Sequence, residues 1–250
     1  MLLSAEHLTK TFGARTILDD VSLYLDRGDK LGVIGVNGTG KSTLLRLLAG
    51  GEEPDQGSVR LDPNVRLTYL PQEPAFDPER TVLEQVFLGL DPEARTLADY
   101  EARTILTRLG VALFDQKVGT LSGGQRKRVA LASALVHPCD VLILDEPTNH
   151  LDSEMTRWLE EELRRFQGAL VMVTHDRYFL ERVVTRMVEV ERARLTFYEG
   201  SYADYLERKA ELLDMENASE RKRQALLRRE RAWVMQGPKA RGTKSRERLE

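Results

Sequence analysis

A glycine-rich segment near the start of the chain has the spacing of a phosphate-binding loop. Residues 35–43 read GVNGTGKST and match the pattern GxxxxGK[ST] between an apolar run and a helical pattern. Gly35, Gly38 and Gly40 let the backbone curl so that its N–H groups point at phosphate oxygens, and the N-terminus of the next helix adds partial positive charge. A chance match is expected in about one chain in a hundred of this length.

Three side chains that end this loop can hold a nucleotide and its metal ion. Lys41 is long enough to reach the β- and γ-phosphates, and the Ser42 hydroxyl is a suitable ligand for Mg²⁺. We expect Thr43 to contact the α-phosphate. The loop therefore predicts a nucleotide site rather than a simple anion site.

Two consecutive acids close another apolar run, VLILDEP at residues 141–147. An acid at the carboxyl end of a buried strand, beside a phosphate loop, is placed to hold Mg²⁺ through water, and we assign this role to Asp145. Glu146 is one residue further on and points elsewhere, so we predict that it polarises the water that attacks the γ-phosphate.

A second anion-facing helix start is predicted at residues 121–135, which read LSGGQRKRVALASAL. The two glycines expose backbone N–H groups at the start of a well-formed helix. Because the chain already has a phosphate loop, this second helix start predicts that two nucleotide sites are assembled from two domains.

The elements that position these residues follow from three apolar runs, at residues 31–34, 141–144 and 170–173. Continuous apolarity is typical of strands that are covered on both faces. Each run precedes a helical pattern, at residues 41–49, 153–166 and 177–184. Strands that alternate with helices predict βαβ units, so we expect an α/β fold with a mostly parallel sheet.

Two stretches predict additions to this core. Residues 2–25 alternate between apolar and polar side chains, which favours an antiparallel β layer beside the main sheet. Residues 80–118 are helical in pattern and contain no strand candidate, which predicts a small inserted helical subdomain.

Charge is distributed unevenly along the chain. Its 250 residues have a net charge of -3, but residues 221–250 contain 11 Lys/Arg against 3 Asp/Glu. A basic tail on an acidic body favours contact with an anionic polymer, although a solvated helix surface is an alternative of equal weight on this feature alone.

A single cysteine, Cys139, excludes an internal disulfide. No apolar run approaches the 18 residues of a membrane span, and the first residues do not resemble a signal peptide.

Apolar doublets recur every seven residues after residue 202. They occur at 205/206, 212/213, 226/227 and 233/234, with a break at 219/220. A stripe this thin predicts a helix that packs against one partner helix and ends at Gly237-Pro238.

These motifs together resemble an ATP-binding cassette (ABC) ATPase over residues 1–204. LSGGQ at 121–125 matches the signature of that superfamily, and GVNGTGKST and LILDEP match its two Walker motifs. The resemblance implies ATP and Mg²⁺ as ligands, with Phe12 stacked on adenine, Gln72 near Mg²⁺ and the attacking water, and His175 at the γ-phosphate. It also implies that the nucleotide contacts include Asn37, Ser122, Gly123, Gly124, Gln125 and Asp152.

Three segments resemble the ABC-F branch of soluble translation factors and ribosome-protecting resistance proteins. They read DEPTNHLD (145–152), THDRYFL (174–180) and YEGSYADYLERK (198–209), and the tail at 232–246 resembles the linker of the Uup-type subgroup. The resemblance implies a cassette at 1–204 with a helical subdomain at about 73–137, and a basic helical linker at 205–250.

The resemblance also implies partners and a location. We expect a cytoplasmic protein that pairs with a second cassette, either a missing C-terminal half or a weak ATP-dependent homodimer, and that binds the ribosome and tRNA without a membrane. We expect the chain to be a fragment that stops before the returning linker helix, and residues 72–121 are short for an arm that contacts the ribosomal stalk. The alternatives are the ATPase subunit of a transporter and an ATPase that binds branched DNA.

Overall fold

The structure, a computed structural model, describes residues 1–212, 214 and 215. One compact unit comprises Met1–Tyr205 and a second comprises Leu206–Glu250. In the second unit, residues 206–212, 214 and 215 are helical.

The described residues form two sheets. A three-stranded sheet has the order β2-β1-β4 and a six-stranded sheet has the order β5-β6-β7-β3-β8-β9. The strands are β1 (Leu3–Phe12), β2 (Arg15–Leu25), β3 (Lys30–Ile34), β4 (Gln56–Leu61), β5 (Leu67–Leu70), β6 (Val141–Asp145), β7 (Ala169–Val173), β8 (Arg186–Glu191) and β9 (Arg194–Glu199).

The α-helices of the cassette lie between these strands in the chain. They are α1 (Lys41–Leu48), α2 (Val82–Val86), α3 (Pro92–Arg108), α4 (Gly123–Val136), α5 (Ser153–Arg165) and α6 (Arg177–Val183). Helix α1 follows β3, α5 follows β6 and α6 follows β7, so the predicted alternation of strand and helix is confirmed.

The centre of the larger sheet is parallel. Strands β5, β6, β7, β3 and β8 pair in parallel, and β9 pairs with β8 in the antiparallel sense. Every residue of β6 and β7 is buried, as their uninterrupted apolar sequences predict. The carboxyl ends of β3, β6 and β7 therefore meet at one edge of the sheet.

The antiparallel layer covers one face of this sheet. Strands β2 and β4 flank β1, and apolar side chains from β1, β2, α1 and the larger sheet form one core cluster. The layer predicted over residues 2–25 is confirmed as β1 and β2, and β4 extends it.

Helices α2, α3 and α4 lie in the stretch for which a helical subdomain is predicted, and they pack on a second core cluster with α5 and α6. No strand is assigned between residues 80 and 118, where one isolated bridge joins Thr81 and Lys117. The helical character predicted for this stretch is confirmed.

One prediction about the apolar stripe is wrong. Tyr205 is buried in the cassette core, where its ring lies 5.0 Å from the Tyr198 ring and its hydroxyl donates to Glu189 Oε1 at 3.2 Å. It is therefore not available to a partner helix, because it already packs against β8 and β9. Leu206 and Leu212 are exposed, whereas residue 213, the doublets at 226/227 and 233/234 and the basic tail lie outside the described residues.

Candidate functional site

The predicted phosphate loop connects the end of β3 to the start of α1. Gly35, Gly38 and Gly40 have φ values of +148°, +81° and +108°, a range that side chains strongly disfavour. A Cβ on Gly40 would lie 2.3 Å from Cγ2 of Ile17, and one on Gly35 would lie 2.5 Å from the carbonyl oxygen of Val190. The predicted curl of the backbone is present, and it brings the loop against β2 and β8.

Side chains from two directions hold this loop. Arg15, on β2, donates from Nη2 to the carbonyl of Gly38 at 2.8 Å. The Lys41 ammonium donates to the carbonyls of Gly35 at 2.8 Å and Val36 at 3.2 Å. Burial lowers the pKa of Lys41, and Glu146 and then Asp145 partly oppose this effect. The lysine is thus fixed beneath the loop with two carboxylates nearby.

A cleft of about 350 Å³ brings most of the predicted site residues together. It is also lined by Ile17 and Val173, which sequence analysis did not identify as site residues because they read as ordinary apolar strand positions. The predicted residues that line the cleft are Phe12, Asn37, Gly38, Gly40, Lys41, Ser42, Thr43, Gln72, Asp145, Glu146 and His175.

Asp145 ends β6 and is buried, and its Oδ1 has no hydrogen-bond partner among the described residues. Burial raises the pKa of Asp145, while Ser42, Arg46 and Lys41 lower it to a smaller extent. Ser42, Gln72 and Asp145 supply hydroxyl, amide and carboxylate oxygens to the same cleft. Oxygen ligands are those that Mg²⁺ prefers, so the unpartnered carboxylate oxygen and its neighbours fit this ion.

Glu146 is buried and has a φ of +54°, which is uncommon for a residue with a side chain. Its Oε2 accepts the backbone N–H of His175 at 3.3 Å, and its Oε1 lies 3.4 Å from Nε2 of His175. Burial raises the pKa of Glu146, and His175 is the largest opposing influence. A carboxyl group with a raised pKa in a cleft is suited to accept a proton.

The signature residues lie elsewhere, at the start of α4. Ser122 caps this helix: its Oγ accepts the N–H of Gln125 at 3.2 Å, and Gln125 Oε1 accepts the N–H of Ser122 at 2.9 Å. A Cβ on Gly123 would meet nothing within 4 Å, and one on Gly124 would lie 3.4 Å from His150. This capping box is not among the features predicted from the sequence, although the spacing S-x-x-Q is its signature.

Asp152 also lies away from the cleft and caps a helix. Its Oδ1 accepts the N–H groups of Glu154 and Met155, both at 2.9 Å, at the start of α5. The structure therefore separates the predicted residues into two groups, one lining the cleft and one at the starts of α4 and α5. Gly35 lies behind the cleft and contributes its carbonyl to Lys41.

Two family models match the chain. A model described as ABC transporter matches residues 18–149, and an extension model with the same description matches residues 188–249. No helix of the described residues has the length and apolarity needed to cross a bilayer.

Several curated bacterial proteins are similar to this chain. The uncharacterized ABC transporter ATP-binding protein YfmR of Bacillus subtilis is 41% identical across all of this chain and 46% of its own length. Energy-dependent translational throttle protein EttA is 40% identical in Haemophilus influenzae, over 94% of this chain and 49% of that protein. EttA of Mycobacterium tuberculosis is 38% identical, over 96% of this chain and 50% of that protein. The chain spans about half the length of these relatives.

A solved structure of the ATP-binding subunit of an ABC transporter matches with a TM-score of 0.74 at 23% identity, over 88% of this chain and 99% of that chain. At this identity it shows the fold alone, and the predicted cassette fold is confirmed. The EttA relatives confirm the resemblance to the ABC-F branch. Because the first family model covers more than half of the sequence, the chain belongs to the ABC transporter family, as an ATP-binding cassette with the ATPase fold.

Proposed function

We propose that the chain binds ATP with Mg²⁺ in the cleft and hydrolyses it, as one cassette of a protein that uses two. The observation that carries this proposal is the convergence of Lys41, Asp145, Glu146 and His175 on the cleft behind a glycine loop. The family match supports ATP as the nucleotide.

The phosphate end of the cleft binds by charge and by backbone donors. The N–H groups of the loop and the Lys41 ammonium hold the phosphates, while Ser42, Gln72 and Asp145 would hold Mg²⁺. When bound, the ion neutralises charge on the phosphate oxygens. Phe12 offers an exposed ring to the adenine base.

Glu146 acts as the base in this proposal. It accepts a proton from the water whose oxygen bonds to the γ-phosphorus, while the bond between that phosphorus and the ADP oxygen breaks. Its contacts with His175 orient the carboxylate, and the raised pKa strengthens its affinity for the proton.

A second cassette would complete the site. Ser122, Gly123, Gly124, Gln125 and Asp152 lie outside the cleft, at or beside the starts of α4 and α5. The capping box of α4 uses the N–H of Gln125 and leaves the N–H groups of Gly123 and Gly124 for an anion. We propose that these residues close on a nucleotide held by another cassette, in a head-to-tail pair. Either a C-terminal half or a second copy of this chain supplies that cassette.

The proposed target is the ribosome, with tRNA, in the cytoplasm. The name of the EttA relatives refers to translation, and the segments at 145–152, 174–180 and 198–209 resemble the ABC-F branch. Residues 221–250 are rich in Lys and Arg and would contact RNA phosphates in a salt-dependent way. We propose that residues 1–205 form the cassette, with a helical subdomain at about 73–137, and that the linker begins one residue later than predicted, at residue 206.

The nucleotide proposal is tested by Lys41→Ala. This change removes the cation that holds the phosphates, so ATP binding is expected to fall at least tenfold. Lys117→Ala is the matched control, because Lys117 is also ion-paired, with Glu79 at 2.6 Å, but does not line the cleft. Equal ATP affinity in the two variants would contradict the proposal.

The ribosome proposal is tested by co-sedimentation. The Glu146→Gln variant with ATP is expected to pellet with ribosomes, and removal of residues 221–250 is expected to weaken this binding. Preferential recovery with membranes would favour a transporter subunit. Preferential binding to junction DNA over ribosomes and tRNA, at matched salt, would favour a DNA-binding ATPase.

A further inference from the structure

Lys10, on β1, is held unusually firmly for a lysine beside the surface. Its side chain is only 13% exposed, and its ammonium donates to the carbonyl of Glu53 at 2.7 Å. It also forms ion pairs with Glu52 Oε1 at 3.2 Å and with Asp55 Oδ1 at 3.8 Å. Three acceptors thus fix the ammonium in one place.

This fixed ammonium lies 5.4 Å from the centroid of the Phe12 ring, within the range of a cation–π contact. Lys10 and Phe12 are two residues apart on one strand, so both side chains stand on the same face of the sheet. Phe12 lines the cleft and Lys10 does not. Lys10 therefore contacts the ring without occupying the part that faces the nucleotide.

The same network reaches the phosphate end of the site. Glu52, which pairs with Lys10, also accepts a hydrogen bond from Arg46 Nε at 3.0 Å. Arg46 lies in the last turn of α1, the helix that begins at Lys41. Glu52 therefore joins the strand that carries the aromatic ring to the helix that follows the phosphate loop.

We propose that Lys10 is a positioning and specificity-determining residue of the nucleotide site. It holds and polarises the Phe12 ring so that the ring stacks on the base of a nucleoside triphosphate, and Glu52 sets the spacing of this ring from the phosphate loop. The inference rests on the proposed function, since it assumes that Phe12 meets the base. Lys10 thus acts from outside the cleft, and it favours binding of a nucleotide over binding of a bare polyphosphate.

The test compares two ligands, ATP and inorganic tripolyphosphate, each with Mg²⁺, by calorimetric titration. Lys10→Met is expected to weaken ATP binding about two- to fivefold and to leave tripolyphosphate binding unchanged, because only ATP has a base. Lys10→Arg keeps the cation and is expected to retain ATP affinity. Lys117→Met removes another ion-paired lysine and is the control.

A double-mutant cycle isolates the contact with the ring. In a Phe12→Leu chain, Lys10→Met is expected to have no further effect on ATP affinity. Unchanged ATP affinity in the single Lys10→Met variant, or an equal loss for both ligands, would overturn the inference and leave the proposed function standing. If the unchanged chain binds ATP no more tightly than tripolyphosphate, the base does not contribute to affinity and the inference is contradicted. Failure to bind either ligand would instead contradict the proposed function.

Discussion

At the residue scale, Glu146 is the side chain whose chemistry the structure defines most fully. It is buried, its backbone is left-handed and its two carboxylate oxygens face His175. Glu146→Gln keeps the shape but removes the proton acceptor. We expect this variant to bind ATP and to hydrolyse it about 10²- to 10⁴-fold more slowly, measured as phosphate release. Glu154→Gln, in the exposed first turn of α5, is the control, and near-normal hydrolysis by Glu146→Gln would contradict the assignment.

The raised pKa of Glu146 predicts the pH dependence of hydrolysis. Burial disfavours the charged carboxylate, so Glu146 takes up a proton at a pH above the ordinary glutamate pKa of 4.5. Because the base must be deprotonated, the turnover rate is expected to fall as pH decreases, with its midpoint above that value. A rate profile from pH 5 to pH 9 measures this, and a rate that stays level down to pH 5 would contradict it.

The raised pKa of Glu146 makes the stability of the fold depend on pH in the direction opposite to that of the hydrolysis rate. A buried carboxyl group whose folded-state pKa is raised stabilises the fold fully at a pH below the unfolded pKa. This contribution is lost as pH rises through the folded pKa. The same glutamate that needs a higher pH for catalysis therefore lowers the free energy of unfolding at that pH.

The loop residues of the cleft could be predicted from the sequence because their spacing is set by the ligand, whereas Phe12, Gln72 and His175 were implied only by the family resemblance. Phosphate geometry requires glycines at fixed intervals and a lysine directly after them, so residues 35–43 were recognisable. The hydrogen bond from Arg15 to the phosphate loop and the ion pair between Lys10 and Glu52 could not be predicted, because each joins residues that are far apart in the chain. Ile17 is a similar case, because only the folded β2 places it under Gly40.

At the scale of elements, the two glycine motifs predict different outcomes for the same substitution. Gly40→Ala would place a Cβ 2.3 Å from Ile17 at a φ of +108°, so the loop cannot keep its shape. We expect a loss of about 1–3 kcal/mol in the free energy of unfolding and a loss of ATP binding by the isolated chain. Chemical denaturation and calorimetric titration measure the two effects.

Gly123→Ala is the matched comparison. Its Cβ meets nothing within 4 Å, and the residue is the first of helix α4, so stability and ATP binding by one cassette are expected to be unchanged. Its effect is expected only on hydrolysis that needs two cassettes. A Gly40→Ala variant that is as stable as the unchanged chain and binds ATP equally well would show that the loop tolerates a side chain at Gly40.

Whether a strand could be predicted from the sequence depended on its position in the sheet. Strands β3, β6 and β7 lie at its centre and are covered on both faces, so each could be recognised as an apolar run. Strands β4 and β9 are edge strands with mostly exposed residues, which leave no comparable pattern. The spacing of apolar residues in a sequence reflects which side chains are buried, and few side chains of β4 and β9 are buried.

At the scale of the whole molecule, the division of the predicted residues into two groups predicts nucleotide-dependent pairing. We expect the chain without nucleotide to be a monomer and the Glu146→Gln variant with ATP to dimerise weakly, because ATP is then bound but not consumed. Sedimentation velocity at several protein concentrations measures this. The variant with ADP is the control, and a tight dimer without nucleotide would contradict head-to-tail closure on ATP.

The burial of Tyr205 limits how far the chain can be shortened. Its ring packs on Tyr198 and Tyr202, and the hydroxyl groups of Tyr198 and Tyr205 both donate to the carboxylate of Glu189 on β8. A protease that digests the chain from its carboxyl end is expected to stop at or after Tyr205. Mass spectrometry of the resistant product identifies this end point, and trimming to residue 200 without unfolding would contradict it. The minimal cassette that can be prepared for crystallisation or labelling thus extends one side chain beyond the predicted boundary at residue 204.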